Sequence, residues 1–329
     1  MHHDPGFLAL GIDLGGSKIL TAVVDAQGRM LSRDYRLTPA AQGPDPVVEA
    51  IMQSARQALD QAGLPQDVAV FGIGAPGISN PETGVVFTSP NLPGWHNVPL
   101  GKTIERRSGK PTFLINDANA AAIGELHFGA GKGARNFIYV TVSTGIGGGI
   151  IIDGQLYSGA IGTAGEIGHM AIAGSGPRCN CGNTGCWETL ASGSALEREA
   201  VRRISEGTPT SILGYVDGDV KKVTAKVIHT AAERNDRLAR ELIGQTAYYL
   251  GVGLANLINI FNPELVVIGG GLSNMGDILL KPAFQVAGKR AFTQAYKAAR
   301  FARATLGGNS GVLGAAAFAL AEVAKQRQV

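Results

Sequence analysis

The sequence is short of cysteine and of charge, and it has no long apolar run. Only three cysteines occur in 329 residues. Three is an odd number, which excludes complete disulfide pairing, and nothing else marks a secreted disulfide scaffold. No stretch of 18 apolar residues is present, and the opening Met1-His2-His3-Asp4-Pro5 does not read as a signal peptide. No membrane span is therefore expected, the location expected is cytoplasmic, and His2-His3 reads as a disordered end rather than a ligand pair. Charged residues make up 17% and the formal net charge is +3. The basic pairs Arg106-Arg107, Arg202-Arg203 and Lys221-Lys222 stand isolated, so charge gives nucleic-acid binding no support.

What is abundant is glycine, 47 residues gathered at the ends of apolar runs, and a hydrophobic content of 45%. The chain is long enough for two domains, each with its own core. Phe7 to Ile12 reads as a buried strand ending at Asp13, Leu14-Gly15-Gly16-Ser17 as a turn, and Lys18 to Val24 as the returning strand. Met30 to Leu37 is a third strand. Val47, Ile51, Ala55 and Leu59 have helical spacing, and Val68 to Ile73 is another buried strand. Residues from there to about Pro99 read as a long loop. Ile104 to Ser108 is helical, Thr112 to Ile115 is a strand ending at Asn116-Asp117, and Ala118 to Phe128 is a helix with Asp117 suited to its first turn.

The opening pattern then recurs. Phe137 to Val142 reads as a strand, Ser143 to Gly148 as a glycine turn, and Gly149 to Ile152 as the return. Helices follow near 194–206, 224–234 and 237–261. A strand from Leu265 to Ile268 runs into Gly269-Gly270-Gly271, with a helix from Ser273. Ala302 to Leu306 is the last strand and Val312 to Ala324 the last helix. The duplication implies two α/β domains across a cleft, residues 1–118 and 119–309, with the C-terminal helix 310–329 returning to the first.

All three cysteines fall within Cys179-Asn180-Cys181-Gly182-Asn183-Thr184-Gly185-Cys186, and His169 lies ten positions before the first. Three thiolates and an imidazole form the Cys3His set of a closed, structural zinc site, and Gly182 and Gly185 permit the sharp turns. Free thiols are the alternative. Glu166 and Glu188 flank the cluster, either as ligand contacts or as solvated loop carboxylates.

Gly72-Ile73-Gly74-Ala75-Pro76-Gly77 matches a dinucleotide fingerprint, but turn residues follow where a helix should open. Gly101-Lys102-Thr103 lacks the earlier glycine of a phosphate loop. The better phosphate candidates are Gly15-Gly16-Ser17 and Thr144-Gly145-Ile146-Gly147, whose amides could approach a phosphate, with Gly269, Gly270 and Gly271 as a third cluster. Asp13 could hold Mg²⁺ beside them. Ordinary hairpin turns are the alternative.

Six motifs in order carry a resemblance. They are Ile12-Asp13-Leu14-Gly15-Gly16-Ser17-Lys18, Asn116-Asp117-Ala118-Asn119, Gly145 to Gly149, Glu166-Ile167-Gly168-His169, the cysteine cluster through Glu188, and Val267 to Gly271. Together the chain resembles the ROK family of sugar kinases and repressors, within the actin-like ATPase (ribonuclease H-like) superfamily. Among members it looks most like the bacterial ATP-dependent glucokinases. One departure is Ser17, where the family usually has threonine.

The resemblance implies a two-domain actin-like fold with a zinc loop, Mg²⁺-ATP as donor, and a hexose phosphorylated at its 6-hydroxyl, glucose being favoured. Asp117 becomes the general base. Asn116, Glu166, His169 and Glu188 become sugar contacts, with Asn91 and Gly77 as weaker candidates. Asp13, Gly15, Gly16, Ser17, Lys18, Thr144, Gly145, Gly147, Gly269, Gly270 and Gly271 fall to the nucleotide side. His169, Cys179, Cys181 and Cys186 hold the zinc. N-acetylmannosamine, N-acetylglucosamine and fructose stay open as substrates, polyphosphate stays open as donor, and a homodimer is the family expectation. A ROK-type repressor would need a DNA-binding domain ahead of the first strand, for which the sequence shows no room and no basic recognition helix. An actin-like filament or chaperone ATPase is disfavoured by the cysteine cluster.

Overall fold

The computed structural model describes residues 7–63 and 68–327, and the His2-His3 pair lies outside them. The chain forms two compact units. One takes the residues up to Tyr139, Gly149–Gly165 and those from Ala304, and the other takes Val140–Gly148 and Glu166–Arg303.

The first unit opens with β1 (Leu8–Leu14), β2 (Lys18–Asp25), β3 (Met30–Leu37) and helix α1 (Pro44–Gln61), followed by β4 (Val70–Ala75). Three short strands come next, β5 (Ile78–Asn80), β6 (Val85–Thr88) and β7 (His96–Val98), then α2 (Leu100–Ser108), β8 (Thr112–Asn116) and α3 (Asp117–Phe128). Its main sheet has the order β3-β2-β1-β4-β8. β1 pairs antiparallel with β2 and parallel with β4, and β4 pairs parallel with β8. The central strands are continuous apolar runs because helices cover both faces. β3 instead alternates, with Leu31, Arg33, Tyr35 and Leu37 turned outward as befits an edge. Val47, Ile51 and Leu59 of α1 pack against Leu10, Ile12 and Ile73, which is the core their spacing predicts.

The segment expected as one long loop holds the three-stranded sheet β5-β6-β7. The Asn80 side chain accepts N–H bonds from Glu82 and Thr83 and so turns β5 back into β6. Leu92 and Trp95 then drop into the core, fully buried. The sequence hides this because the strands are three or four residues long and interleaved with proline and glycine.

A second sheet has the order β11-β10-β9-β12-β13, from β9 (Phe137–Val142), β10 (Ile146–Ile152), β11 (Gln155–Leu156), β12 (Leu265–Gly269) and β13 (Arg300–Arg303). β10 begins at Ile146, so Ile146 to Gly148, expected as turn, are strand. β13 ends at Arg303, short of the expected Ala302–Leu306, because its ladder with β12 runs from Leu265↔Arg300 to Ile268↔Arg303 and stops there. The second unit carries α4 (Trp187–Ala191), α5 (Gly193–Ser205), α6 (Ala225–Glu233), α7 (Arg237–Phe261), α8 (Asp277–Arg290) and α9 (Thr293–Ala298). α8 starts four residues later than expected, after a 3-10 turn at Gly271–Met275.

The last helix, α10 (Ser310–Gln326), packs on the first unit's own sheet. Val312, Leu313, Ala316 and Leu320 cover Ala9, Ala22, Val24 and Val70. The approach is backbone to backbone. A Cβ on Gly11 would lie 2.2 Å from the Val312 carbonyl, and one on Gly72 2.0 Å from that of Ala315. Glycine at these two strand positions lets the helix lie flush on the sheet.

Candidate active site

Within the first unit, parallel pairing sets the candidate residues along one edge. Asp13 of β1 is opposite Gly74 of β4, and Ala75 is opposite Asn116 of β8. Asp13, Asn116 and Asp117 thus stand at the carboxyl ends of parallel strands, where α/β sheets place ligands. Asn116 caps α3, its Oδ1 accepting the N–H groups of Ala118 and Asn119, and its Nδ2 donates to the Gly77 carbonyl at 3.3 Å. Gly77 needs its left-handed backbone (φ +99°), and a Cβ there would lie 2.2 Å from the Thr88 carbonyl. The Gly15-Gly16-Ser17 turn closes through Gly15 N–H to the Lys18 carbonyl at 2.8 Å. A Cβ on Gly16 would meet the Asn91 carbonyl at 2.6 Å, so Asn91 lies directly on that turn.

The charges of this group are held under strain. Burial, then the neighbouring Asp117, pushes Asp13 up to about 6, while Lys18 pulls it down. Burial likewise holds Asp117 above the ordinary carboxylate range, against the N–H of Ala118, which donates to Oδ1 at 2.8 Å. A carboxylate in this state is a stronger proton acceptor than one in water, and a cation beside the pair would relieve the repulsion. The first turn of α10 presses on the same place, since a Cβ on Gly311 would stand 2.8–3.0 Å from the Asp13 carboxyl atoms.

Within the second unit, the cluster expected from the cysteine spacing forms. The ligand atoms of His169, Cys179, Cys181 and Cys186 all lie within 4.8 Å of one another. Cys179 Sγ is 3.4 Å from His169 Nδ1, and Cys181 Sγ is 3.7 Å from Cys186 Sγ. A tetrahedral ion with Cys and His ligands has edges of about 3.8 Å between sulfurs and about 3.6 Å between sulfur and nitrogen. The donor set therefore fits such a cation. Gly182 (φ +95°) and Gly185 (φ +69°) make the turns. Burial, then the adjacent thiols, pushes Cys186 up to about 12, so only a bound cation would strip its proton near neutrality. With Nδ1 facing the thiols, His169 Nε2 points toward the Glu166 carboxylate, 3.9 Å away.

The second glycine turn is gripped from several sides in the same unit. Gly193 N–H donates to the Ser143 carbonyl at 2.7 Å and Ser194 N–H to the Thr144 carbonyl at 3.2 Å. Gly270 (φ +85°) packs on the backbone of Val142, and Gly271 faces Ser143 Oγ, so these two glycines lie against residues 142–143, where the turn begins. Glu188 Oε2 accepts the Ile146 N–H at 2.9 Å. Of the Glu188 oxygens, one is therefore committed to the turn, a contact absent from the sequence reading. Trp187 anchors the segment, fully buried against Gly253 of α7, its indole N–H donating to the Tyr249 carbonyl at 2.9 Å.

Sequence reasoning also missed Ser89 and Asn119. Ser89 Oγ and Asn119 Oδ1 are buried with no hydrogen-bond partner among the described residues. Ser89 lies against Gly77, and Asn119 follows Asp117 by two residues. The Asn116-Asp117-Ala118-Asn119 motif contained the second signal. Nothing local marks the first.

An α/β protein with paired carboxylates at a sheet edge, two backbone-lined glycine turns and a thiol–imidazole cluster is thereby defined. A sequence model of the ROK family matches residues 9–322, and the chain belongs to that family. The glucokinase of Thermotoga maritima is 38% identical over 84% of this chain and 86% of its own length. A putative xylose repressor from a Caldicellulosiruptor species is 36% identical over 96% of this chain and 79% of its own. The crystal structure of a ROK glucokinase from Streptomyces griseus, in complex with glucose and AMPPNP, has 38% identity and a TM-score of 0.84, covering 95% of this chain and 99% of that one. No helix among the described residues is long and apolar enough to cross a membrane.

Proposed function

We propose that this chain is an ATP-dependent kinase that phosphorylates the 6-hydroxyl of glucose, on an actin-like ATPase fold. The observation that carries the reading is Asp117. Its carboxylate sits at the end of a parallel strand, held above its ordinary range beside a second carboxylate. The family relation, and a glucokinase relative solved with glucose and AMPPNP, support reading that carboxylate as the base of a sugar kinase.

In this reading Asp117 accepts the proton of the sugar 6-hydroxyl. The hydroxyl oxygen forms a bond to the γ-phosphorus, the bond to the β–γ bridging oxygen breaks, and ADP leaves. Phosphoryl transfer needs mainly positioning and charge neutralisation. Asn116, Glu166, His169 and Glu188 orient the sugar, with Asn91 and Gly77 as further contacts. The backbone amides of Gly15, Gly16, Ser17, Thr144, Gly145 and Gly147, with Gly269 to Gly271, hold phosphate and nucleotide, and Lys18 adds positive charge. Asp13 would hold Mg²⁺, directly or through water, and the ion would supply neutralisation of the phosphates. Zn²⁺ suits the Cys3His cluster, where His169, Cys179, Cys181 and Cys186 would hold it; it would supply a scaffold, and His169, bound through Nδ1, would keep Nε2 for the sugar.

The test is a coupled assay with ATP and Mg²⁺ across glucose, mannose, fructose, N-acetylglucosamine and N-acetylmannosamine. Glucose is expected to give the highest kcat/KM. No turnover on any of the five would sink the kinase reading and leave a sugar-responsive regulator, like the repressor relatives, as the function to examine by gel shift.

A further inference from the structure

Glu125 has no place in the chemistry above, yet no other carboxylate among the described residues is so enclosed. It lies in the last turns of α3 with no solvent exposure. Oε2 accepts the N–H of Ala130 at 2.8 Å, the N–H of Thr305 at 3.2 Å and the Thr305 hydroxyl at 3.4 Å. Oε1 accepts the N–H of Leu306 at 3.1 Å and the Ser310 hydroxyl at 2.9 Å. Gly129 makes room, since a Cβ there would fall 2.0 Å from Oε2. Five donors converge on two oxygens. A carboxylate accepts all of them, whereas an amide would turn its own N–H bonds toward donors.

Four of the five donors, those of Thr305, Leu306 and Ser310, come from one place, the segment that leads into α10. Ser310 is the first residue of that helix and is itself buried. The next residue, Gly311, bears on the Asp13 carboxyl group. α3 and α10 also cross at contact distance, with Gly124 against the Ser310 carbonyl and Gly314 against that of Ala120. At the other end of α3 stands Asp117, eight residues and roughly 12 Å along the helix. Glu125 thus ties together the two helices that present Asp117 and abut Asp13.

We infer that Glu125 is a positioning residue for phosphoryl transfer. It fixes the first turn of α10 against α3, and through Gly311 it sets where the Asp13 carboxylate stands relative to Asp117. It touches neither substrate. The inference rests on the kinase reading, in which both aspartates act.

The test compares Glu125→Gln and Ser310→Ala with the parent enzyme well below their melting temperatures. Sugar-binding stoichiometry by calorimetry counts the folded sites, so that kcat is expressed per site. Misplacing reacting groups by about 1 Å costs on the order of a hundredfold. Glu125→Gln is therefore expected to lower kcat about 10- to 100-fold with both KM values within threefold. Ser310→Ala, which removes one of the five bonds, is expected to lower kcat about two- to fivefold in the same pattern. A residue that only supports the fold would lower the melting temperature and leave kcat per site unchanged. That result in either variant overturns the inference, and Ser310→Ala decides alone if Glu125→Gln does not fold. A parent without turnover would instead overturn the kinase reading, and this inference with it.

Discussion

Asp117 and Glu125 are carboxylates on one helix, both withdrawn from water, and the chain treats them in opposite ways. Glu125 receives five donors. Asp117 accepts the N–H of Ala118 and has Asp13 close enough to repel it. Five converging donors turn the Glu125 carboxyl group into a fastener. Local backbone N–H groups alone, beside a like charge, leave the second carboxylate eager for a proton or a cation. Burial alone therefore says little about a carboxylate's role, and the donors around it say much more.

Substitution should separate the two. Asp117→Asn is expected to lower kcat by about 10²- to 10⁴-fold, the range for loss of a general base, while calorimetry shows sugar affinity kept within a few fold. Near-normal turnover would remove Asp117 as the base. Glu125→Gln is expected to cost on the order of 3 kcal/mol in denaturant unfolding, as buried networks do when one member is mismatched. A loss under 1 kcal/mol would mean the network matters little.

The thiol–imidazole cluster provides a third case, in which a bound cation would disperse the charge. Stripping the metal with a chelator is expected to weaken sugar binding more than tenfold and nucleotide binding less than threefold, read by calorimetry. The reverse order would confine the ion to the fold. The smallest effect concerns stability at Asp117. Its pKa is raised on folding, so its contribution to stability is present below the ordinary value of 3.8 and is lost as pH rises through the raised one. Asp117→Asn should therefore melt higher than the parent at pH 7 to 8, and the gap should close as pH falls toward 4. A lower melting temperature at pH 8 would show that Asp117 is a structural acid after all.

Much of the site was legible because its signals are local. The cysteine spacing, the strand ending at Asn116-Asp117 and the two glycine turns are each written within a dozen residues, and α7 matches its sequence-read bounds, 237–261. What escaped depends on distant partners. Glu125 looks like any helical glutamate until Thr305, Leu306 and Ser310 arrive some 180 residues later. The bond from Ile146 N–H to Glu188 spans 42 residues. β5, β6 and β7 were missed for another reason, since strands of three or four residues are too short to show a period.

The seat of α10 on β1 and β4 has a consequence for synthesis. Ala9, Ala22, Val24 and Val70 are made early, yet the face they form is covered by Val312 to Val323. Throughout elongation that face stays open, and about 240 residues must leave the ribosome after Val70 before it can close. The unit begun first is completed last, and until then its open apolar face is a surface on which the newborn chain can misassemble.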